Sequence, residues 1–190
     1  MFGYIIQTAG RVLFYPKRMC ERIPRERYAA DITFIYLGIL ALIPAIAKFI
    51  ELSVVSILVN NVPKLRVVIT AKSFIIPLAY LVLIMVSSLA VSYIYTLLAG
   101  RFGGKKDFSY ALKVVAYAMT PILLSPIFGW IPSLSYLISL LAIVYAVYIL
   151  YLGIAYALQP RQEVRFFFIL ASILILVFFL LLIEFIINRF

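Results

Sequence analysis

From Phe166 to Ile187 the chain reads FFFILASILILVFFLLLIEFII. These 22 consecutive residues carry one charge, Glu184, and one hydroxyl, Ser172. At ~1.5 Å per residue a helix of this length runs ~33 Å, enough to cross the ~30 Å hydrocarbon core of a bilayer. A helix at the surface of a water-soluble protein keeps one apolar stripe, whereas this one is apolar all round. The segment therefore reads as a membrane span, and the rest of the chain is read outward from it.

Composition agrees. Of 190 residues, 66% are hydrophobic and 13% charged, and mean hydropathy is +1.16. A soluble domain carries about 25% charged residues, so lipid is the solvent for most of this chain. Moving back toward the N-terminus, Gln159-Pro160-Arg161-Gln162-Glu163 separates the fifth span from a fourth, from about Ser133 to Leu158. Gly129-Trp130-Ile131-Pro132 is read as a tight turn from a third span, from about Phe108 to Phe128. A second runs from about Ser73 to Ala99 and is ended by Gly100, Gly103 and Gly104. The first runs from about Ile32 to Ile50, with an extension to Leu58 left open, and Asn60, Asn61 and Pro63 end it. The expected fold is an all-α polytopic membrane protein, a five-transmembrane-helix bundle over 32–190. Residues 1–31 form an interfacial amphipathic basic segment ahead of it.

That segment places Phe2, Ile5, Ile6, Ala9, Val12 and Leu13 at helical spacing on one face, with Gln7, Thr8 and Arg11 elsewhere. Pro16 and Pro24 divide it, and Lys17, Arg18, Arg22, Arg25 and Arg27 make it basic. An amphipathic helix with a polybasic tether lies in the headgroup region. It shows no basic, apolar and small-residue series of a cleavable signal.

Net charge is +10. The cations flank apolar runs, so anionic lipid headgroups are the expected partner and nucleic acid is not. Twelve Lys and Arg residues fall on the side of the N-terminal segment and of the second-to-third and fourth-to-fifth loops, against four on the other side. The positive-inside rule then puts the N-terminus in the cytoplasm and the C-terminus outside. The cell membrane is the expected location.

Small residues let helices approach closely in lipid. Span four offers Ser135, Ser139, Ala142, Ala146, Gly153 and Ala157 on one stripe, span three Ala111, Ala118, Ser125 and Gly129, and span one Gly38, Ala41 and Ala45. Spans three and four are expected to form a hairpin along these seams, with span five at the bundle edge. Pro44, Pro121 and Pro126 lie inside spans and free the carbonyls of Leu40, Tyr117 and Ile122, for which Tyr145, Tyr148 and Tyr151 are candidate donors.

Ionisable residues inside spans are candidate sites. Lys48, Glu51 and Glu184 share one depth near the outer interface, either as a polar cluster for an ion, proton or headgroup or as charges snorkelling at helix ends. Lys113 near the cytoplasmic end of span three either meets a lipid phosphate or snorkels. Arg18, Arg22, Arg101, Lys105, Lys106 and Lys113 are the candidate headgroup-binding cations. The run Gly100-Arg101-Phe102-Gly103-Gly104-Lys105-Lys106 lacks the GK[ST] ending of a P-loop, so it is either a phosphate contact or a basic connection. Cys20, the single cysteine, is a weak acylation candidate. The chain has no histidine, and no catalytic triad, metal cluster or cofactor motif stands out.

The segment from Gly103 to Pro121, Gly-Gly-Lys-Lys-Asp-Phe-Ser-Tyr-Ala-Leu-Lys-Val-Val-Ala-Tyr-Ala-Met-Thr-Pro, resembles the YIP (Ypt-interacting protein) domain family. The family pattern there is a glycine-containing loop, an aromatic, and a span opening Ala-Leu-basic-Val-x-x-Tyr-Ala-x-x-Pro. Phe14-Tyr15-Pro16, Trp130-Ile131-Pro132 and the Tyr145–Gly153 stretch are similar too, and the resemblance runs from about residue 10 to 185. It implies five spans, a cytoplasmic N-terminus and an outward C-terminus. Eukaryotic members serve vesicle traffic with Rab-type GTPases. This chain lacks their long N-terminal extension and Asp-Leu-Tyr-Gly-Pro motif and looks like the short archaeal or bacterial form, so a Rab-linked role is not carried over.

The leading expectation is a non-enzymatic membrane-organising or scaffolding protein whose basic face binds anionic lipids or partner proteins, a second copy included. The alternatives are a small transporter or channel using the Pro-kinked spans, and an accessory subunit of a larger membrane complex.

Overall fold

The computed structural model describes residues 2–25, 30–59, 62–128, 132–187 and 189. Arg27, Asn60, Asn61 and the Gly129-Trp130-Ile131 part of the expected turn lie outside the described residues. Five helices are long and apolar enough to cross a membrane. They are α3 (Ala30–Ser53), α4 (Ala71–Arg101), α5 (Phe108–Leu124) with a 3-10 turn at Ser125–Phe128, α6 (Pro132–Gly153) with a π turn at Ile154–Leu158, and α7 (Arg165–Ile187). Two shorter helices, α1 (Phe2–Phe14) and α2 (Pro16–Arg22), precede them.

The first span stops at Ser53, so the extension to Leu58 is not realised. The chain turns there into an antiparallel hairpin of β1 (Val54–Val59) and β2 (Val62–Val67), paired from Val54↔Val67 to Val59↔Val62. Val-Val-Ser-Ile-Leu-Val is rich in β-branched residues, which favour a pleated strand. The Val68 N–H closes the base of the hairpin on the Ser53 carbonyl at 2.8 Å. An apolar run at the end of a span reads alike as helix or strand, which is why sequence periodicity missed it.

α5 is the hub. Every residue from Ala111 to Pro121 is buried, because α3, α4 and α6 surround it and α1 adds a fourth cover. The small-residue seam between α5 and α6 forms at its lower half: Ala146 and Ala157 are fully buried, and a Cβ on Gly153 would stand 2.7 Å from Val114 Cγ1. It continues to Ala142, which is also buried, whereas Ser139 is exposed. α7 leans on α4, and 22% of its span is buried against 67% for the α5 span, so it sits at the bundle edge. The Tyr95 hydroxyl anchors it by donating to the Ser172 carbonyl, and Phe102 packs on Phe168 at 5.4 Å between ring centres.

The prolines behave differently from one another. Pro44 and Pro121 are buried inside α3 and α5. Pro126 lies in the 3-10 turn that ends the third span and is not an internal kink. The Ile122 carbonyl it would free accepts from the Ser125 hydroxyl at 2.9 Å. Pro77, inside α4, is a further helix proline that the sequence reading passed over. Tyr145 does not serve a proline: its hydroxyl donates to the Leu13 carbonyl at the end of α1, and Tyr148 and Tyr151 are exposed.

The N-terminal helices dock onto the bundle. α1 packs on α5, and α2 on α6 and its π turn. Ile5, Ala9 and Val12 are buried as their spacing predicts, Thr8 is buried with them, and Ile6 is exposed. Tyr15 precedes Pro16 at the break, where a proline at the first helical position costs no hydrogen bond. The Tyr110 hydroxyl donates to the Pro24 carbonyl at 3.3 Å.

Candidate functional site

The end of the bundle that carries the α4–α5 and α6–α7 connections holds Arg101, Lys105 and Lys106. Its geometry starts from unpaired backbone groups. α6 tightens into a π turn, and Gln159 closes it in the left-handed conformation at φ 48°, its N–H on the Ile154 carbonyl at 3.0 Å. The last carbonyls of a helix have no partner within it. Here the Leu158 carbonyl accepts from the Lys105 N–H at 2.7 Å, and the Phe102 carbonyl accepts from the Arg161 N–H at 3.2 Å. Two segments more than 50 residues apart in the chain are thereby tied backbone to backbone.

The glycines make this approach possible. A Cβ on Gly104 would stand 2.5 Å from the Leu158 carbonyl oxygen, inside van der Waals contact. Gly103 has φ +69° and lies against the Arg161 side chain. Asp107 starts α5 as its N-cap: Oδ1 accepts from the N–H groups of Ser109 (2.8 Å) and Tyr110 (3.3 Å). A carboxylate there also suits the positive end of the helix dipole.

Arg101 and Lys106 come together. They line a cleft of about 400 Å³ whose other walls are Ile94, Leu97, Leu98 and Gly100. The Lys106 stem lies over Gly100, where a Cβ would be 3.3 Å from its Cδ. Lys105 is exposed on the neighbouring loop. Among the described residues, Arg101, Lys105 and Lys106 take part in no ion pair. Arg18 and Arg22 are exposed on α2, which packs on α6 and its π turn. The Arg18 guanidinium lies 5.5 Å from the Tyr15 ring centre.

Lys113 is not a surface cation. It is 2% exposed and lies beneath α1, lining a cavity of about 10 Å³ with Tyr4, Thr8, Thr33, Tyr36 and Tyr117. Both expectations for it, headgroup contact and snorkelling, needed access to the surface, and docking of α1 removes that access. Beside it the Tyr36 hydroxyl meets Thr120 Oγ1 at 2.7 Å, and the Thr120 hydroxyl donates to the Ala116 carbonyl, so Tyr36 is the donor. Cys20 is also enclosed, 1% exposed, with its thiol directed at the Ile149 carbonyl. Burial, and then the Glu21 carboxylate, push its thiol up to about 12. A buried protonated thiol is a poor acyl acceptor, which removes the acylation reading.

At the opposite end Lys48 and Glu51 form an ion pair at 3.1 Å. Glu184 lies on α7, beyond α4. Tyr80 on α4 stands within electrostatic reach of both Glu51 and Glu184, a link that the sequence spacing did not reveal. A lateral groove of about 570 Å³ opens there between α3 and the Ser125–Phe128 turn, lined by Ile43, Ile46, Glu51 and Pro126 among others. Inside the bundle, Ser88, Ser92 and Thr96 each donate to a carbonyl four residues back in α4. Among the described residues no three His, Cys, Asp or Glu side chains come together as metal ligands would.

Comparison with known proteins places the chain in a family. The family model described as the Yip1 domain matches residues 10–183. No curated protein matches the chain, and no solved structure does.

Proposed function

Because the chain belongs to the Yip1 domain family, we propose that it is a non-enzymatic membrane-organising protein that works through its basic end, by gathering anionic lipid headgroups or docking a partner protein. The observation that carries this reading is the set of exposed cations that, among the described residues, lack a carboxylate partner: Arg101 at the end of α4, and Lys105 and Lys106 on a connection held in place by backbone ties that involve Leu158 and Phe102. Rigid presentation lowers the ordering cost of binding. Each basic residue at an anionic surface contributes ~1 kcal/mol, and the attraction fades beyond a Debye length.

In this reading the basic end faces the cytoplasm of the cell membrane, with the C-terminus outside. The charge asymmetry of the connections supports that placement. Reporter fusions at both termini test it, and a cytoplasmic C-terminus would overturn it.

The functional test is extraction of the protein with its surrounding lipid in polymer discs at low and high salt, with assay of lipid composition. Enrichment of anionic over zwitterionic lipid that declines as salt rises is the expected result. Composition equal to the bulk membrane at every salt concentration would sink the lipid reading. Mass spectrometry of co-purifying chains on the same material reports on a protein partner.

A further inference from the structure

The cleft between Arg101 and Lys106 has the chemistry of an amphiphile turned inside out. Two cations form its rim, and Ile94, Leu97 and Leu98 form its wall. Both cations are exposed and neither is in an ion pair among the described residues. Asp107, which follows Lys106 in sequence, is engaged in capping α5. Leu97 is 41% exposed, so the wall opens sideways to where lipid chains lie. From Ile94 to Arg101 the helix rises ~10 Å, which matches the passage from upper acyl chain to phosphate.

We infer that this cleft is a binding site for one anionic phospholipid, its phosphate between Arg101 and Lys106 and one hydrocarbon chain along Ile94 and Leu97. The inference rests on the proposed lipid-gathering role and adds a defined site to it. Two features prepare the site. Arg101 belongs to the last turn of α4, and a guanidinium suits phosphate because it can offer two parallel donors. Lys106 reaches the same rim because Gly100 leaves room for its stem. A diffuse basic surface would show neither an apolar wall nor a reason for the lysine to lie flat.

Native mass spectrometry of the full chain, released from vesicles of equal phosphatidylglycerol and phosphatidylcholine, tests the site. One retained phosphatidylglycerol per chain is expected. The Arg101→Gln, Lys106→Gln pair removes two charges and should weaken retention about thirtyfold. Leu97→Trp leaves the charge intact and fills the apolar wall, and it too should displace the lipid. Arg189→Gln, at the far end of α7 from the cleft, should leave retention unchanged. Thermal unfolding of each variant shows whether it is folded, and Leu97→Trp keeps the test open if the double variant is not. Retention undiminished in the double variant and in Leu97→Trp, equal loss in Arg189→Gln, or equal retention of phosphatidylcholine would each overturn the site. If salt-dependent anionic enrichment in polymer discs persists while these results fail, the broader reading stands without the site. If that enrichment is itself absent, both fall.

Discussion

The Lys105 N–H donates to the Leu158 carbonyl at 2.7 Å, and this bond joins the end of one span to the connection that leads into another. It is possible because Gly104 brings no side chain to the contact. Gly104→Ala would set a Cβ 2.5 Å from that carbonyl oxygen, against backbone that has little room to yield. Overpacking of this kind costs about 1–3 kcal/mol. Thermal unfolding in detergent should show a clear loss for Gly104→Ala. Gly103→Ala should also lose stability through its positive φ, but its neighbour there is the flexible Arg161 side chain, which can move aside.

Gly153 and Val114 test the seam of α5 and α6. A Cβ on Gly153 would meet Val114 Cγ1 at 2.7 Å, so Gly153→Ala should destabilise the bundle by about 1–3 kcal/mol. The double variant Gly153→Ala, Val114→Ala relieves the clash, and its loss should fall below the sum of the two single losses. Strict additivity in denaturant titrations would show that the two residues do not share this contact.

Cys20 reports on docking of the N-terminal helices. Its thiol has a raised folded value of about 12 against 9.0 for the free group. A raised acid favours the folded state fully below pH 9.0, and this contribution is lost as pH climbs toward about 12. Maleimide labelling at neutral pH should therefore be slow, and it should accelerate between those values by more than thiolate ionisation of a free cysteine accounts for. Tyr145→Phe, which removes the donor to Leu13, should raise the rate at neutral pH.

Tyr95 holds the outermost span. Tyr95→Phe deletes the donor to the Ser172 carbonyl while keeping the ring. Polar bonds between helices in lipid average ~0.6 kcal/mol, so a loss near that size is expected, detectable as earlier release of α7 in limited proteolysis. A loss of several kcal/mol would mean that the hydroxyl orders more than this one contact.

The five spans were legible because each is a run of some 20 apolar residues, and lipid leaves a helix little choice. Span five at the edge was legible too, since Phe166–Ile187 offers no small residue stripe to a neighbour. The hairpin at Val54–Val67 was not, because an apolar β-branched run continues the hydropathy of the span before it. Lys113 was misread for a different reason: its burial is decided by α1, which begins more than 100 residues earlier in the chain. In the basic connection the residues were visible and their arrangement was not. Gly103 and Gly104 announce a turn, but only the fold brings Leu158 and Arg161 to them.

The enclosure of α5 bears on how the protein is made. Its span has the lowest hydropathy of the five, 1.6 against 3.3 for the last, and it carries Lys113. On leaving the ribosome it is the weakest candidate for insertion on its own merits. Helices α3 and α4 are synthesised before it, and both become its neighbours. α6 follows at once and supplies a third. By chain order, two of the neighbours that enclose its polar groups are made before it and the third directly after it.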